Sequence, residues 1–137
     1  VACRIFLSYG PYQEYNRLIP QVIYGCLNNL NFSVSSGIQY RDFCYIDDVI
    51  RAFESLLLSK NTYGQTYNIG SSNPIMVKTI IKKINKLIGK GKPIFGNNPL
   101  RKNENLKLFA NTSKIYNHTK WKPKISLNEG LIKTIKF

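Results

Sequence analysis

Apolar residues return at helical spacing in several stretches of the chain, and each such stretch predicts a helix that buries one face. Leu18, Ile19, Val22, Ile23, Cys26, Leu27 and Leu30 make the first stripe, which Asn16 can cap; Pro20 fits if the helix begins near it, because proline is tolerated in a first turn. Val49, Ala52, Phe53, Leu56 and Leu57 make the second, from Asp48 to about Ser59. Val77, Ile80, Ile81, Ile84, Leu87 and Ile88 make the third, from about Met76 to Ile88, with Gly89 placed as its C-terminal cap residue. A short helix is expected after Thr112, and Ser126-Leu127-Asn128-Glu129 reads as a capping box that opens a terminal helix with Leu127, Leu131 and Ile135 inward.

Shorter apolar runs predict strands. Ala2 to Tyr9 is apolar on both sides, with Ile5 and Leu7 opposite Phe6, and Gly10-Pro11 ends it. Phe32 to Ser35 and Gln39 to Ile46 are expected to pair as a hairpin across Ser36-Gly37. Within Tyr40-Arg41-Asp42-Phe43-Cys44-Tyr45-Ile46-Asp47-Asp48-Val49 that strand gives way to a helix, with Asp47-Asp48 supplying an N-cap and first-turn negative charge. Thr66 to Ile69 and Pro93-Ile94-Phe95 are further short strands. The expectation is one α/β domain over residues 1–137, made of short strands and about five helices.

Charge narrows the choice of partner. Twenty Lys and Arg against seven Asp and Glu give a formal net charge of +13, which suits an anionic small ligand or a polyanion such as nucleic acid. Lys82, Lys83, Lys86, Lys90 and Lys92 lie on or after a helix with apolar residues between them, the pattern of a solvated face. Aromatics set beside basic residues on one sheet face, as in a platform for stacking bases, are not evident. Cys3, Cys26 and Cys44 are odd in number and widely spaced, and His118 is the only imidazole, so neither a disulfide framework nor a metal site is expected. With no apolar run long enough to span a bilayer, a reduced, cytoplasmic setting follows, without a membrane partner. The chain opens on Val1-Ala2-Cys3 with no initiator Met and reads as a piece of something longer.

Arg41 is the first candidate for chemistry. A guanidinium carried on a rigid strand offers a planar fork of donors suited to phosphate or carboxylate, and it can equally serve a structural contact to Asp42 or to backbone. Gly89-Lys90-Gly91 looks like a phosphate loop but follows a helix instead of opening one after a strand, and position 94 is Ile, so it is read as a turn.

An ordered series of motifs carries a resemblance. Arg4-Ile5-Phe6-Leu7-Ser8-Tyr9-Gly10-Pro11 comes first, then Gly37-Ile38-Gln39-Tyr40-Arg41-Asp42-Phe43 running on to Val49, then Tyr67-Asn68-Ile69-Gly70, Trp121-Lys122-Pro123 and Ser126-Leu127-Asn128-Glu129-Gly130. Together they resemble the second half of the extended short-chain dehydrogenase/reductases, the NAD-dependent epimerase/dehydratase family of nucleotide-sugar enzymes. The resemblance implies the C-terminal, substrate-binding part of a Rossmann-type fold, with the N-terminal cofactor-binding half missing and a last strand of its sheet near residues 2–9. It also implies that the whole enzyme is a homodimer that binds NAD or NADP and a nucleotide diphosphate-sugar.

Residue by residue, the resemblance puts Phe6 beside the cofactor, Ile19 and Phe32 near the nucleotide base, Arg41 and Arg101 on the diphosphate and Glu104 on a ribose hydroxyl. Many members carry Asn where this chain has Leu7, so an amide contact to the substrate is not implied. Tyr116 and Lys120 match the spacing of the family's catalytic pair but stand after the motifs they should precede; they are read as a decoy, and His118 as a surface side chain. No catalytic residue is therefore expected in this chain. A basic nucleic-acid- or anion-binding module and a non-enzymatic remnant of the family are the alternatives.

Overall fold

The computed structural model describes residues 1–137. The opening run divides at Phe6 into β1 (Ala2–Ile5) and β2 (Leu7–Tyr9), which have different partners. There follow α1 (Leu18–Leu27), β3 (Asn31–Val34), β4 (Tyr40–Tyr45) and α2 (Ile46–Leu57), then a single 3-10 turn at Lys60–Thr62. Next come β5 (Thr66–Ile69), β6 (Pro74–Met76), α3 (Val77–Ile88) and β7 (Lys92–Phe95). The chain closes with β8 (Lys107–Leu108), α4 (Ser113–Thr119) and α5 (Leu127–Lys136).

β4 is the organising strand. Its C-terminal half runs parallel to β2, pairing Leu7 with Phe43 and Tyr9 with Tyr45. Its N-terminal half is paired on both edges, antiparallel to β6 through Arg41 and Ile75, and parallel to β8 through Arg41 and Leu108. Since β2 lies opposite β6 in the strand order, β2 and β8 share one edge of β4, end to end, and meet near Asp42. Alternation along β4 then feeds two cores, because successive side chains leave a strand on opposite faces. Phe43 and Tyr45 join Ile19, Val22, Val77, Ile80, Ile84 and Leu131 beneath α1, α3 and α5. Cys44 joins Val49, Ala52, Leu56, Tyr67, Ile69, Ile115 and Trp121 on the other side. Each fully buried aliphatic or aromatic side chain contributes about 1.5–3 kcal/mol.

The expected hairpin does not form. β3 pairs in parallel with β7, Phe32 against Pro93, and the Ser36-Gly37 turn has a different use. The Gly37 carbonyl accepts the Lys78 N–H at 2.9 Å and the Gln39 carbonyl accepts the Val77 N–H at 2.9 Å, so the loop caps the start of α3, whose first amides have no partner within the helix. Gly37 lies at φ +67°, and a Cβ there would stand 2.9 Å from the Lys78 nitrogen.

Other expectations shift as well. Arg17 rather than Asn16 is the N-cap of α1, and Pro20 falls in its first turn. α2 begins at Ile46, so Asp47 and Asp48 sit inside its first turn and not at its cap. Leu27, Leu30, Phe53, Leu57 and Leu87, expected inward, are exposed, since the buried stripes are narrower than the apolar ones. Ile5 and Leu7 are exposed, at 48% and 39%, so the opening strand, apolar on both sides, leaves apolar surface uncovered. The capping box holds, with Ser126 Oγ accepting the Glu129 N–H at 3.2 Å, and Gly89 ends α3 in the left-handed region. All three cysteines are free thiols, and no helix is long and apolar enough to cross a membrane.

Candidate functional site

A cleft of about 820 Å³ opens along the strand from Arg4 to Tyr9, bounded by the loop Tyr12–Arg17, the start of α1, and Asp42, Phe43 and Leu108. It lies where β2 and β8 meet along β4. Phe6, half-buried, lines it, and so does Ile19, which is otherwise part of the core. Gln13 folds back along the wall and donates from Nε2 to the Ser8 carbonyl at 2.8 Å, while its Oε1 is buried without a partner. Tyr12 takes the left-handed conformation at φ +62° and rests its ring on Phe137, 4.4 Å away.

Asp42 forms the floor of the cleft and holds two loops to it. Its carboxylate accepts N–H bonds from Ser71 at 2.6 Å, Ser72 at 3.0 Å and Ala110 at 3.0 Å, with the Ser71 hydroxyl donating as well. A buried carboxylate is tolerable only when donors replace the water it has lost, and at 1% exposure Asp42 is surrounded by them.

Arg41, next along the strand, points its guanidinium at Glu104, and the two form an ion pair; Nη1 also donates to the Tyr40 carbonyl at 2.8 Å. Arg101 is exposed and shares a turn with Glu104, whose N–H reaches the Arg101 carbonyl at 3.0 Å. The structure thus joins Arg41 to Glu104, places Arg101 one turn away, and sets Phe6 and Ile19 in the neighbouring cleft. Phe32 stands apart from these. It packs under α1, where a Cβ on Gly25 would come within 2.6 Å of its ring, and it does not line the cleft.

Asp48 is a second buried carboxylate, which reading Asp47-Asp48 as a helix cap passed over. It pairs with Arg51 and accepts N–H bonds from Lys124 at 2.7 Å and Ile125 at 3.0 Å, while its backbone carbonyl accepts the Trp121 indole N–H at 3.2 Å. Trp121-Lys122-Pro123 is therefore the loop that closes over the start of α2. The available signal was an acid at helical spacing from Ala52 and Leu56 on the apolar stripe, which must find donors elsewhere in the chain.

Tyr116 and Lys120 do not line the cleft. Lys120 ends α4 at φ +60°, its N–H on the Tyr116 carbonyl at 2.7 Å and its Nζ 5.5 Å from the Tyr116 ring. His118 is exposed but engaged, with Nδ1 2.7 Å from the hydroxyl of buried Tyr67. Burial raises the Tyr67 hydroxyl pKa. The Tyr9 hydroxyl is raised further, first by burial and then by Cys44, Tyr45, Asp48 and Glu129, so it stays protonated and donates to the Leu127 carbonyl at 3.4 Å. No group of His, Cys, Asp and Glu is clustered to hold a metal ion.

The chain is similar in sequence and fold to known proteins. The family model for GDP-mannose 4,6 dehydratase matches residues 1–134. A dTDP-glucose 4,6-dehydratase of Escherichia coli is 32% identical over 93% of this chain and 38% of its own length, and that of Haemophilus influenzae is 28% identical over 95% and 42%. The solved structure of UDP-glucuronic acid 4-epimerase from Bacillus cereus, in complex with UDP-glucuronic acid and NAD, superposes with a TM-score of 0.88 at 30% identity, over 98% of this chain and 43% of that one. The chain spans about two fifths of the length of these relatives and corresponds to the C-terminal portion of the extended short-chain dehydrogenase fold. With its five helices, its β4-centred sheet and a family match over nearly every residue, the chain belongs to the NAD-dependent epimerase/dehydratase family, in the group described as GDP-mannose 4,6 dehydratase.

Proposed function

We propose that residues 1–137 are the substrate-binding part of an NAD(P)-dependent nucleotide-sugar epimerase or dehydratase, whose complete form is a homodimer. The observation that carries this reading is Arg41, a guanidinium fixed on β4 by its own bond to the Tyr40 carbonyl; Arg41 does not itself line the largely apolar cleft, but its chain neighbour Asp42 and its strand partner Leu108 do. A fork of donors against an apolar wall suits a ligand with a diphosphate at its middle and a flat base at one end.

In this reading Arg41 and Arg101 hold the diphosphate and Glu104 takes a ribose hydroxyl. Ile19 borders the base, and Phe32 supports that wall by packing on Gly25 of α1. The exposed apolar side chains of Ile5 and Leu7, with Phe6 between them, fit a planar nicotinamide ring. Bound there, the cofactor would accept and return a hydride. Ring orientation and exclusion of water are the parts that fall to Phe6 and its neighbours. Tyr116 and Lys120, outside the cleft, take no part in it, so this chain alone shows no turnover with NAD(P) and nucleotide-sugars.

Titrating a nucleoside diphosphate-sugar into the chain by calorimetry tests the reading. Charge-assisted hydrogen bonds contribute about 1.5–3 kcal/mol each, so Arg41→Ala and Arg101→Ala should each weaken binding roughly ten- to a hundredfold. The double variant should lose less than the sum, because both arginines act on one group. Unchanged affinity in Arg41→Ala, with the melting temperature preserved, would refute the assignment.

A further inference from the structure

Glu104 lies in a loop whose other members, apart from half-buried Leu100, are exposed, yet only 19% of its side chain and 11% of that of Arg41 reach solvent. The loop is anchored at both ends. Asn98 Nδ2 donates to the Ser33 carbonyl at 3.0 Å, and the Leu106 carbonyl accepts the Tyr40 N–H at 2.7 Å before β8 begins. Between those anchors, the pair with Arg41 is the one hydrogen-bonded tie from residues 99–105 to the body of the protein.

We infer that Glu104 is an internal competitor for Arg41: its carboxylate takes the guanidinium that a diphosphate would take, so ligand entry exchanges one anion for another and releases Glu104 from Arg41. The inference rests on the assignment of Arg41 to the diphosphate made above. Carboxylate and phosphate meet an arginine fork through the same donors, and Nη1 already serves the Tyr40 carbonyl, so the remaining side of the fork takes one anion at a time. The pair is mostly desolvated and is not the weak kind found on open surfaces. Affinity for any ligand that needs Arg41 is then reduced by the fraction of molecules in which the pair is open. Arg101 sits in the same turn as Glu104, so release of the acid moves the second arginine with it.

Inorganic pyrophosphate is the probe, because it has no ribose through which Glu104 could contribute directly. Glu104→Gln keeps the size and removes the charge. It should tighten pyrophosphate binding about tenfold, the factor for a pair closed in roughly nine molecules of ten. Glu104→Ala should do the same, and Arg41→Ala should weaken binding roughly ten- to a hundredfold in either background. Unchanged or weaker pyrophosphate binding in Glu104→Gln, with Arg41 still required, overturns the competition and leaves the diphosphate assignment standing. Affinity unchanged by Arg41→Ala, or no binding by any variant, overturns both.

Discussion

The carboxylate of Asp42 accepts the backbone N–H of Ala110 at 3.0 Å across 68 positions of sequence, and this bond sets where the arm carrying Glu104 and Leu108 meets β4. Replacing Asp42 by Ala leaves the amides of Ser71, Ser72 and Ala110 without their acceptor in a buried place. A loss of about 2–4 kcal/mol is expected, read as a lower urea midpoint. A change below about 0.5 kcal/mol would mean that water replaces the carboxylate without cost.

Gly70 faces the same carboxylate. A Cβ there would stand 2.6 Å from Asp42 Oδ2 and 2.7 Å from the Ala110 Cβ, and the carboxylate is held by its donors and cannot give way. Gly70→Ala should therefore cost about 1–3 kcal/mol as overpacking, while Ser71→Ala, which removes one hydroxyl donor, should cost less. Equal melting temperatures for the two variants would contradict this.

Alkaline pH should weaken the fold. Burial, followed by the charges of Asp48 and Asp42, pushes the Cys44 thiol up to about 12 from 9.0, and the Tyr9 hydroxyl moves in the same direction. A raised pKa means that the folded state favours the protonated thiol. The stability it contributes is full below pH 9 and is lost between pH 9 and about 12, as the unfolded chain ionises first. Denaturant midpoints should fall across that window, and less steeply in Cys44→Ala.

Ile5 and Leu7 leave apolar area open on the strand that lines the cleft. Concentration-dependent association is the expected outcome in sedimentation velocity, and Ile5→Lys with Leu7→Lys should reduce it. A monodisperse monomer at high concentration would show that the surface is not adhesive.

The helices were legible because burial follows period: Ile80, Ile81 and Ile84 are fully buried in α3, as their spacing requires. Strand partners were not, since Phe32 and Val34 meet Pro93 and Phe95 through a crossover of more than fifty residues, for which the local sequence carries no signal. The Ser36-Gly37 turn misled for a related reason, the carbonyls of Gly37 and Gln39 being spent on the amides of α3. At the site, motif order singled out Arg41 and Glu104 as a set, and their pairing with each other came only from the fold. Asp42 and Asp48 were legible as acids but not as hubs, because their donors arrive from Ser71, Ala110, Lys124 and Ile125.

The position of those last donors bears on the order of events during synthesis. Asp48 leaves the ribosome well before its partners: its carboxylate meets the Lys124 and Ile125 amides 76 and 77 residues later, and Trp121 fills its core from the same segment. Until that segment has left the ribosome, the core around α2 holds an acid without its full set of donors and lacks its largest side chain. The segment around α2 should therefore stay protease-sensitive until Trp121 to Ile125 has emerged and gain resistance in one step then, which makes the nascent chain a client for chaperones that hold unfinished chains.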